Sequence, residues 1–149
     1  MRIEEAIKQK EFIDPYNKTV VNLLFTHSHI VSNQSVLFKP FGLSPEQYNV
    51  LRILRGQKGT PITVSSIQDR MLNKMSNASR LVEKLKMKEL VLREECPNDR
   101  RQVDIVITKK GLEVLEKLEK SVYNFNKKIV NLTTEETEEL NRLLDKLRG

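Results

Sequence analysis

The stretch that decides the fold runs from Thr63 to Gly111 and reads TVSSIQDRMLNKMSNASRLVEKLKMKELVLREECPNDRRQVDIVITKKG. In its middle, apolar residues recur at i, i+3, i+4 and i+7, at Ala78, Leu81, Val82 and Leu85. This spacing predicts a helix with one apolar stripe. Before it we predict a shorter helix that begins after Thr63 and ends near residue 71 or 72, with a turn at residues 73–75.

A hairpin is predicted after the longer helix. Val103, Ile105 and Ile107 alternate with polar residues, as in a half-buried strand. The preceding strand is predicted near residues 91–95, and the tip at residues 97–101. Two helices joined by a turn and followed by a hairpin indicate a winged helix-turn-helix, so the predicted fold class is mainly α with a small β-hairpin wing.

The side of the longer helix opposite its apolar stripe is suited to a nucleic acid. It carries short polar side chains first, Ser76, Asn77 and Ser79, and then Arg80 and Lys84. Short hydrogen-bonding side chains can approach a base edge closely, and the arginine fork matches guanine or a phosphate.

Three runs of sequence resemble the MarR family of transcriptional regulators. They are Ser76–Leu85, Asp99–Arg101 and Ile107–Gly111. The family pattern has a serine/threonine-rich recognition helix with RLV in its middle, a D-x-R wing tip, and LT-x-x-G at the start of the next helix. Ile107 replaces the usual leucine, and Glu89 stands where a glycine commonly ends the recognition helix. A left-handed Glu89 would cost roughly 1 kcal/mol.

The resemblance and the residue chemistry together predict a set of DNA contacts. Bases would be read by Ser76, Asn77, Ser79 and Arg80, and phosphates held by Ser66, Lys74 and Lys84. Arg101 would enter a minor groove, where narrow A·T tracts concentrate negative potential. Arg100 would pair with Asp99 or a phosphate, and Asp99 would orient Arg101 or cap the turn.

Length and charge agree with this reading. The 149 residues predict a single domain. Lys and Arg number 26 against 20 Asp and Glu, a net charge of 26 − 20 = +6, which favours a polyanionic partner. The charged start MRIEEAIKQKEF lacks a signal-peptide core, and no apolar run reaches the ~20 residues of a membrane span. We therefore expect a cytoplasmic protein with no membrane partner.

The regions outside residues 43–111 predict dimerisation. A long helix is expected over about 15–40. After it, Leu115, Leu118, Val122, Phe125, Ile129 and Leu132 follow a 3-4 spacing, and Leu140, Leu143, Leu144 and Leu147 share one face of a last helix. Such stripes need a partner. We expect helices within about 15–40 and 112–148 to interlock in a symmetric homodimer, as the resemblance also implies.

Enzymatic and metal-binding functions find little support. No phosphate-cradling glycine motif is present, and two histidines and one cysteine form no catalytic or zinc constellation. His27 and His29 are two apart on a helix, about 200° around its axis, so they cannot share one ion. We predict no metal or cofactor. His27 is instead a candidate for lining an effector pocket, and Cys96 is a candidate redox switch or an ordinary thiol.

The predicted function is a homodimeric, ligand-responsive repressor that binds double-stranded DNA at a pseudo-palindromic operator. Two alternatives remain at this stage: a protein-interaction module built on a winged-helix scaffold, and a regulator that responds to oxidation of Cys96.

Overall fold

The computed structural model describes residues 1–96 and 99–149, without the side chains of residues 95, 96 and 99–103. The chain divides into two compact units, Met1–Pro45 and Glu46–Gly149. The predictions made for the side chains of Cys96, Asp99, Arg100 and Arg101 fall outside the described residues.

The first unit is helical. It contains α1 (Ile3–Ala6), α2 (Pro15–Phe38) and a 3-10 turn (Lys39–Phe41). The long helix α2 begins at Pro15, because Asp14 caps it: the Asn17 amide donates to the Asp14 carboxylate at 2.7 Å. The short α1 is tied to α2 by an ion pair of 2.6 Å between Lys18 and Glu4. The hydrogen bond from Lys18 lowers the pKa of Glu4 to about 2.

The second unit holds the winged helix and the C-terminal helices. Its elements are α3 (Pro45–Gly56), β1 (Ile62–Thr63), α4 (Val64–Arg70), α5 (Ala78–Met87), β2 (Val91–Cys96), β3 (Asp99–Ile107), α6 (Lys109–Val130) and α7 (Thr134–Arg148). The three strands form an antiparallel sheet in the order β1-β3-β2. The mainly helical fold with a small β wing is therefore confirmed.

The wing differs from prediction in one respect. Strand β3 begins at Asp99 and β2 ends at Cys96, so the backbone of Asp99–Arg101 belongs to a strand and not to a five-residue tip. The register pairs Val91 with Ile107 and Glu94 with Asp104. Cross-strand hydrogen bonding extends the hairpin beyond the alternating residues, which is why periodicity alone placed its end too early.

The core follows the predicted stripes. On α5, Ala78, Val82 and Leu85 are buried and Leu81 is half-buried. On β3, Ile105 and Ile107 are buried. The buried face of α5 sets the direction of the opposite, polar face, which is the one predicted to meet DNA.

Glu89 is left-handed, with φ 60°. It closes α5 in a Schellman motif, in which the Leu90 amide donates to the Leu85 carbonyl at 3.0 Å and the Glu89 amide to Lys86 at 2.8 Å. The Thr108 hydroxyl then donates to the Glu89 carbonyl at 2.8 Å. The backbone at this position therefore has the left-handed conformation that glycine favours, although the residue is a glutamate.

Replacing this residue by glycine should stabilise the protein. Glu89→Gly removes the left-handed strain and should raise the free energy of unfolding by about 1 kcal/mol. It also removes an exposed ion pair with Lys110, 2.8 Å long, and such pairs contribute little. Glu89→Ala is the matched control, since it loses the ion pair and keeps the strain. Urea denaturation should rank Gly above wild type and Ala no higher than wild type; a glycine variant less stable than the alanine variant would contradict the strain.

The C-terminal helices are only partly covered. The predicted seam of α6 is buried at Leu115, Leu118 and Val122, half-buried at Phe125 and Ile129, and exposed after the helix at Leu132. The idea that the whole seam awaits a partner was therefore wrong, because its first half lies in the core of its own chain. A capping box of Thr133 and Glu136 starts α7, and none of the residues of α7 is buried.

Candidate nucleic-acid interface

The first helix of the helix-turn-helix is α4. Thr63 caps it as predicted, because the Ser66 amide donates to the Thr63 hydroxyl at 3.1 Å. The Ser66 carbonyl accepts from the Arg70 guanidinium at 2.8 Å. Ser66 itself is half-buried in the first turn, where its hydroxyl can reach a phosphate only at close approach.

The turn between α4 and α5 is held by one side chain that sequence reasoning missed. The Gln68 amide nitrogen donates to the Lys74 carbonyl at 3.1 Å, and its oxygen accepts from the Ala78 amide at 3.0 Å. Gln68 thereby joins α4, the turn and the first residue of α5. The only signal was a polar residue in an otherwise ordinary helix, and this spacing has no recognisable motif.

Two asparagines complete the support of the turn. The Leu72 amide donates to the Asn49 side chain of α3 at 2.9 Å, and the Met75 amide donates to the Asn73 side chain at 3.0 Å. Asn49 is 23 residues from Leu72 in sequence, so no local pattern could have revealed it. These contacts fix the backbone that leads into the recognition helix.

The four residues predicted to read bases differ in exposure and in hydrogen bonding. Ser79 and Arg80 are exposed on α5, opposite the buried stripe. Asn77 is the N-cap, and its side-chain oxygen accepts from the Arg80 amide at 3.0 Å. Bidentate pairing with adenine requires that same oxygen. The Ser76 hydroxyl oxygen is buried and finds no hydrogen-bond partner among the described residues.

Base reading by these four residues stays a prediction, and the structure shows what two of them do within the chain. The structure gives Asn77 a capping role and turns the Ser76 hydroxyl away from solvent, whereas Ser79 and Arg80 keep their predicted orientation. The physical reason is that polar side chains just before a helix accept hydrogen bonds from the unpaired backbone amides of its first turn, even without a ligand.

Two of the residues predicted to contact phosphates are exposed. Lys84 is exposed one turn after Arg80, and the exposed Lys74 donates from its ammonium group to the Asp69 carbonyl. Glu83 lies one turn after Ser79 and Arg80 on the same side of α5. It pairs with Arg93 of β2, and this ion pair links the recognition helix to the wing. The arrangement offers exposed positive charge around short polar side chains, as DNA recognition requires.

Other kinds of site are not supported. Among the side chains that the structure describes, no group of three or more His, Cys, Asp or Glu could hold a metal ion. No helix within residues 1–96 and 99–149 is long and apolar enough to span a membrane. His27 is exposed on α2, and its assignment to an effector pocket stays a prediction, as does a redox role for Cys96.

Comparison with known proteins identifies the family. The family model described as "MarR family" matches residues 43–103. The crystal structure of a MarR transcription factor from Planctomyces limnophilus is 30% identical to this chain and superposes on it with a TM-score of 0.70. The match covers 91% of this chain and 98% of the Planctomyces limnophilus chain. The chain belongs to the MarR family. It is thus a DNA-binding transcription regulator and not an enzyme.

Two further relatives of this MarR-family protein are informative. The transcriptional repressor MprA of Escherichia coli K12 is 26% identical over 145 residues, 95% of this chain and 81% of MprA. A mutant MarR of Escherichia coli, solved in complex with operator DNA, is 22% identical, with a TM-score of 0.77 over 91% of this chain and 99% of its own. Because the identity to this Escherichia coli MarR is only 22%, the similarity shows a shared fold.

Proposed function

We propose that this MarR-family protein is a homodimeric repressor that binds a pseudo-palindromic operator and releases it when a small molecule binds. One observation carries the proposal: α5 presents Ser79, Arg80 and Lys84 to solvent while its opposite stripe is anchored in the core. A recognition helix so presented can enter a major groove. The repressor relative MprA supports the direction of regulation.

In the proposed complex, each subunit contacts one half-site. Ser79 and Arg80 read bases, Arg80 by pairing with guanine, and Ser76 and Asn77 complete the predicted readout set. Lys84, Lys74 and Ser66 hold phosphates. At the wing, Arg101 enters the minor groove, Arg100 holds a phosphate or Asp99, and Asp99 directs Arg101; these three follow from the family motif.

The dimer is proposed from the uncovered apolar face of the C-terminal end. Leu140, Leu143 and Leu147 of α7 are 41%, 48% and 60% exposed, and Leu132 before it is 44% exposed. A helix of 15 residues that buries none of its leucines is marginally stable alone. Pairing with a second copy about a two-fold axis covers the face and sets two recognition helices ~34–36 Å apart.

We propose the following organisation for the whole chain. Residues 1–149 act as one domain, in which about 43–111 bind DNA and about 15–40 and 112–148 dimerise. The effector would bind more tightly to a dimer whose two recognition helices are not spaced to fit the operator. It then lowers operator affinity by the difference between its affinities for this dimer and for the operator-binding dimer. His27 on α2 is the candidate for contacting it, and the cytoplasm is the proposed compartment.

Salt dependence tests the DNA-binding mode directly. The probe is a duplex enriched by the intact chain from a random-sequence library. If the dimer neutralises about six phosphates, log affinity plotted against log salt concentration should fall with a slope near −5. Fluorescence anisotropy from about 50 to 200 mM salt measures it. A flat dependence, or failure to enrich any duplex, would refute the proposed interface.

Replacing Arg80 tests base reading at one position. Arg80→Ala should cost about 1–3 kcal/mol in operator binding and relax specificity at one base pair per half-site. Arg142→Ala is the control for removal of an exposed arginine outside residues 43–111. Arg142 pairs with Glu139 at 2.7 Å, and sedimentation velocity must first show that this variant is still a dimer. Titrations on the enriched duplex and on scrambled duplex separate the possibilities: equal losses on both would make Arg80 a phosphate contact.

A further inference from the structure

Two large apolar side chains project from the turn before the recognition helix. Leu72 is 87% exposed and Met75 is 92% exposed. Single exposed apolar residues are common and need no explanation. This pair is unusual because both lie in one short turn, next to the residues that face DNA in the proposed complex.

The turn holds the backbone of these two residues in place. The backbone amides of both residues are engaged, Leu72 with the Asn49 side chain and Met75 with the Asn73 side chain. The carbonyl between them, that of Lys74, accepts from Gln68. Leu72 and Met75 are therefore presented by an ordered segment, and ordering them again on binding costs little backbone entropy.

The charge around the pair selects the kind of partner. Arg70, Lys74, Arg80 and Lys84 are exposed in the same helix-turn-helix. Clustered basic side chains favour a polyanion, and in duplex DNA the apolar group displayed in the major groove is the C5-methyl group of thymine. The N-terminal residues of a recognition helix are those that reach base edges, and Met75 precedes the N-cap of α5 by two residues.

We propose that Met75, with Leu72 beside it, packs on thymine C5-methyl groups of the half-site and is a specificity determinant for thymine. The inference rests on the proposed DNA-binding function and adds an apolar contact to the polar readout by Ser79 and Arg80. Met75 is the better placed of the two because it is closer to α5, and an unbranched thioether side chain adapts to the shape of a groove.

The test deletes the methyl group from DNA and its contact from the protein in a double-mutant cycle. The probe is a duplex enriched from a random library by the intact chain, with thymines replaced one at a time by deoxyuridine. At one or more thymines per half-site, the wild-type protein should lose about fourfold in affinity for each methyl removed. Met75→Ala should bind the thymine duplex more weakly and show no further loss with deoxyuridine there.

Three variants control for trivial explanations. Met75→Leu keeps apolar bulk and should retain most of the discrimination between thymine and deoxyuridine. Leu72→Ala should reduce it at the same or the neighbouring base pair. Met87→Ala removes another exposed methionine, which is 78% exposed. Met87 lies at the other end of α5, a helix of 10 residues that is about 15 Å long. This variant should leave the discrimination between thymine and deoxyuridine unchanged. All four variants should keep the thermal stability and sedimentation of the wild type.

The outcomes separate this inference from the function on which it rests. If the chain enriches a duplex but no deoxyuridine substitution couples to Met75 or Leu72, the thymine contact is overturned and DNA binding stands. Equal losses of Met75→Ala on thymine and deoxyuridine duplexes would mean packing on deoxyribose, which also overturns it. Loss of the dimer in Met75→Ala would assign the side chain to a second copy. Failure to enrich any duplex overturns both proposals.

Discussion

Gly111→Ala should destabilise the protein by about 3 kcal/mol or more, the upper range for overpacking a core. A Cβ at Gly111 would lie 2.4 Å from the Leu90 carbonyl oxygen and 2.7 Å from a side-chain carbon of Ile107. The Leu90 oxygen cannot yield easily, because it is backbone and accepts from the Thr108 amide at 3.1 Å. One added methyl group must therefore displace the junction where α5, the wing and α6 meet.

Differential scanning calorimetry measures this effect. In a chain of this size, each kcal/mol of destabilisation lowers the melting temperature by about 2–4 °C. Gly56→Ala is the matched control. The same methyl group added at the end of α3 meets nothing within 4 Å, and should leave stability unchanged or raise it by up to about 1 kcal/mol. Equal melting temperatures for the two variants would show that the close approach at Gly111 is not tight.

Leu143→Glu should convert the dimer to monomers and abolish most operator affinity. In the proposed assembly the substitution occurs twice about the two-fold axis. Each copy forfeits about 1.5–3 kcal/mol of apolar burial and adds a carboxylate to an apolar contact. The dimer dissociation constant should rise by about a hundredfold or more. Sedimentation velocity reads the assembly, and anisotropy with the enriched duplex reads the DNA affinity.

Asn141→Glu distinguishes loss of the interface from added negative charge near DNA. Asn141 is exposed in α7 and lies two positions from Leu143, about 200° around the helix, so it should leave both measurements unchanged. Leu143 is preferable to the buried positions of the α6 seam, since Leu115 and Leu118 are 1% and 0% exposed and a charge there would unfold the subunit. A dimeric, fully active Leu143→Glu protein would refute the proposed interface.

The sequence was sufficient for features that depend on neighbours along the chain. The stripe of Ala78, Val82 and Leu85 predicted both the recognition helix and its buried side. Thr63, Thr108 and Thr133 each cap the helix that follows, because a cap joins residues only three positions apart. The motif beginning at Ile107 now has a physical account: Thr108 caps α6 and binds Glu89, and Gly111 lets α6 pass close to Leu90.

Sequence reasoning was less successful where a residue serves two purposes. Ser76 and Asn77 have the side chains of base-reading residues, yet Asn77 caps α5 and the Ser76 hydroxyl is buried. In the same way, a heptad spacing on α6 cannot tell whether its stripe faces its own core or a partner, since both are apolar. The burial of Leu115, Leu118 and Val122 answers that for the first half of the seam.

What the sequence determined by itself is the order of elements and the polarity of each helix face, because these depend on short spacings along the chain. The family was indicated by the resemblance of three short runs of sequence. What only the tertiary structure decided is the form of the helix-turn-helix turn. Gln68 binds Lys74 and Ala78, and Asn49 reaches across 23 positions to Leu72. Hydrogen bonds between residues distant in sequence leave no periodic trace, yet they hold the backbone of the turn that carries the exposed Leu72 and Met75 into α5. In this way they shape the surface proposed to read DNA.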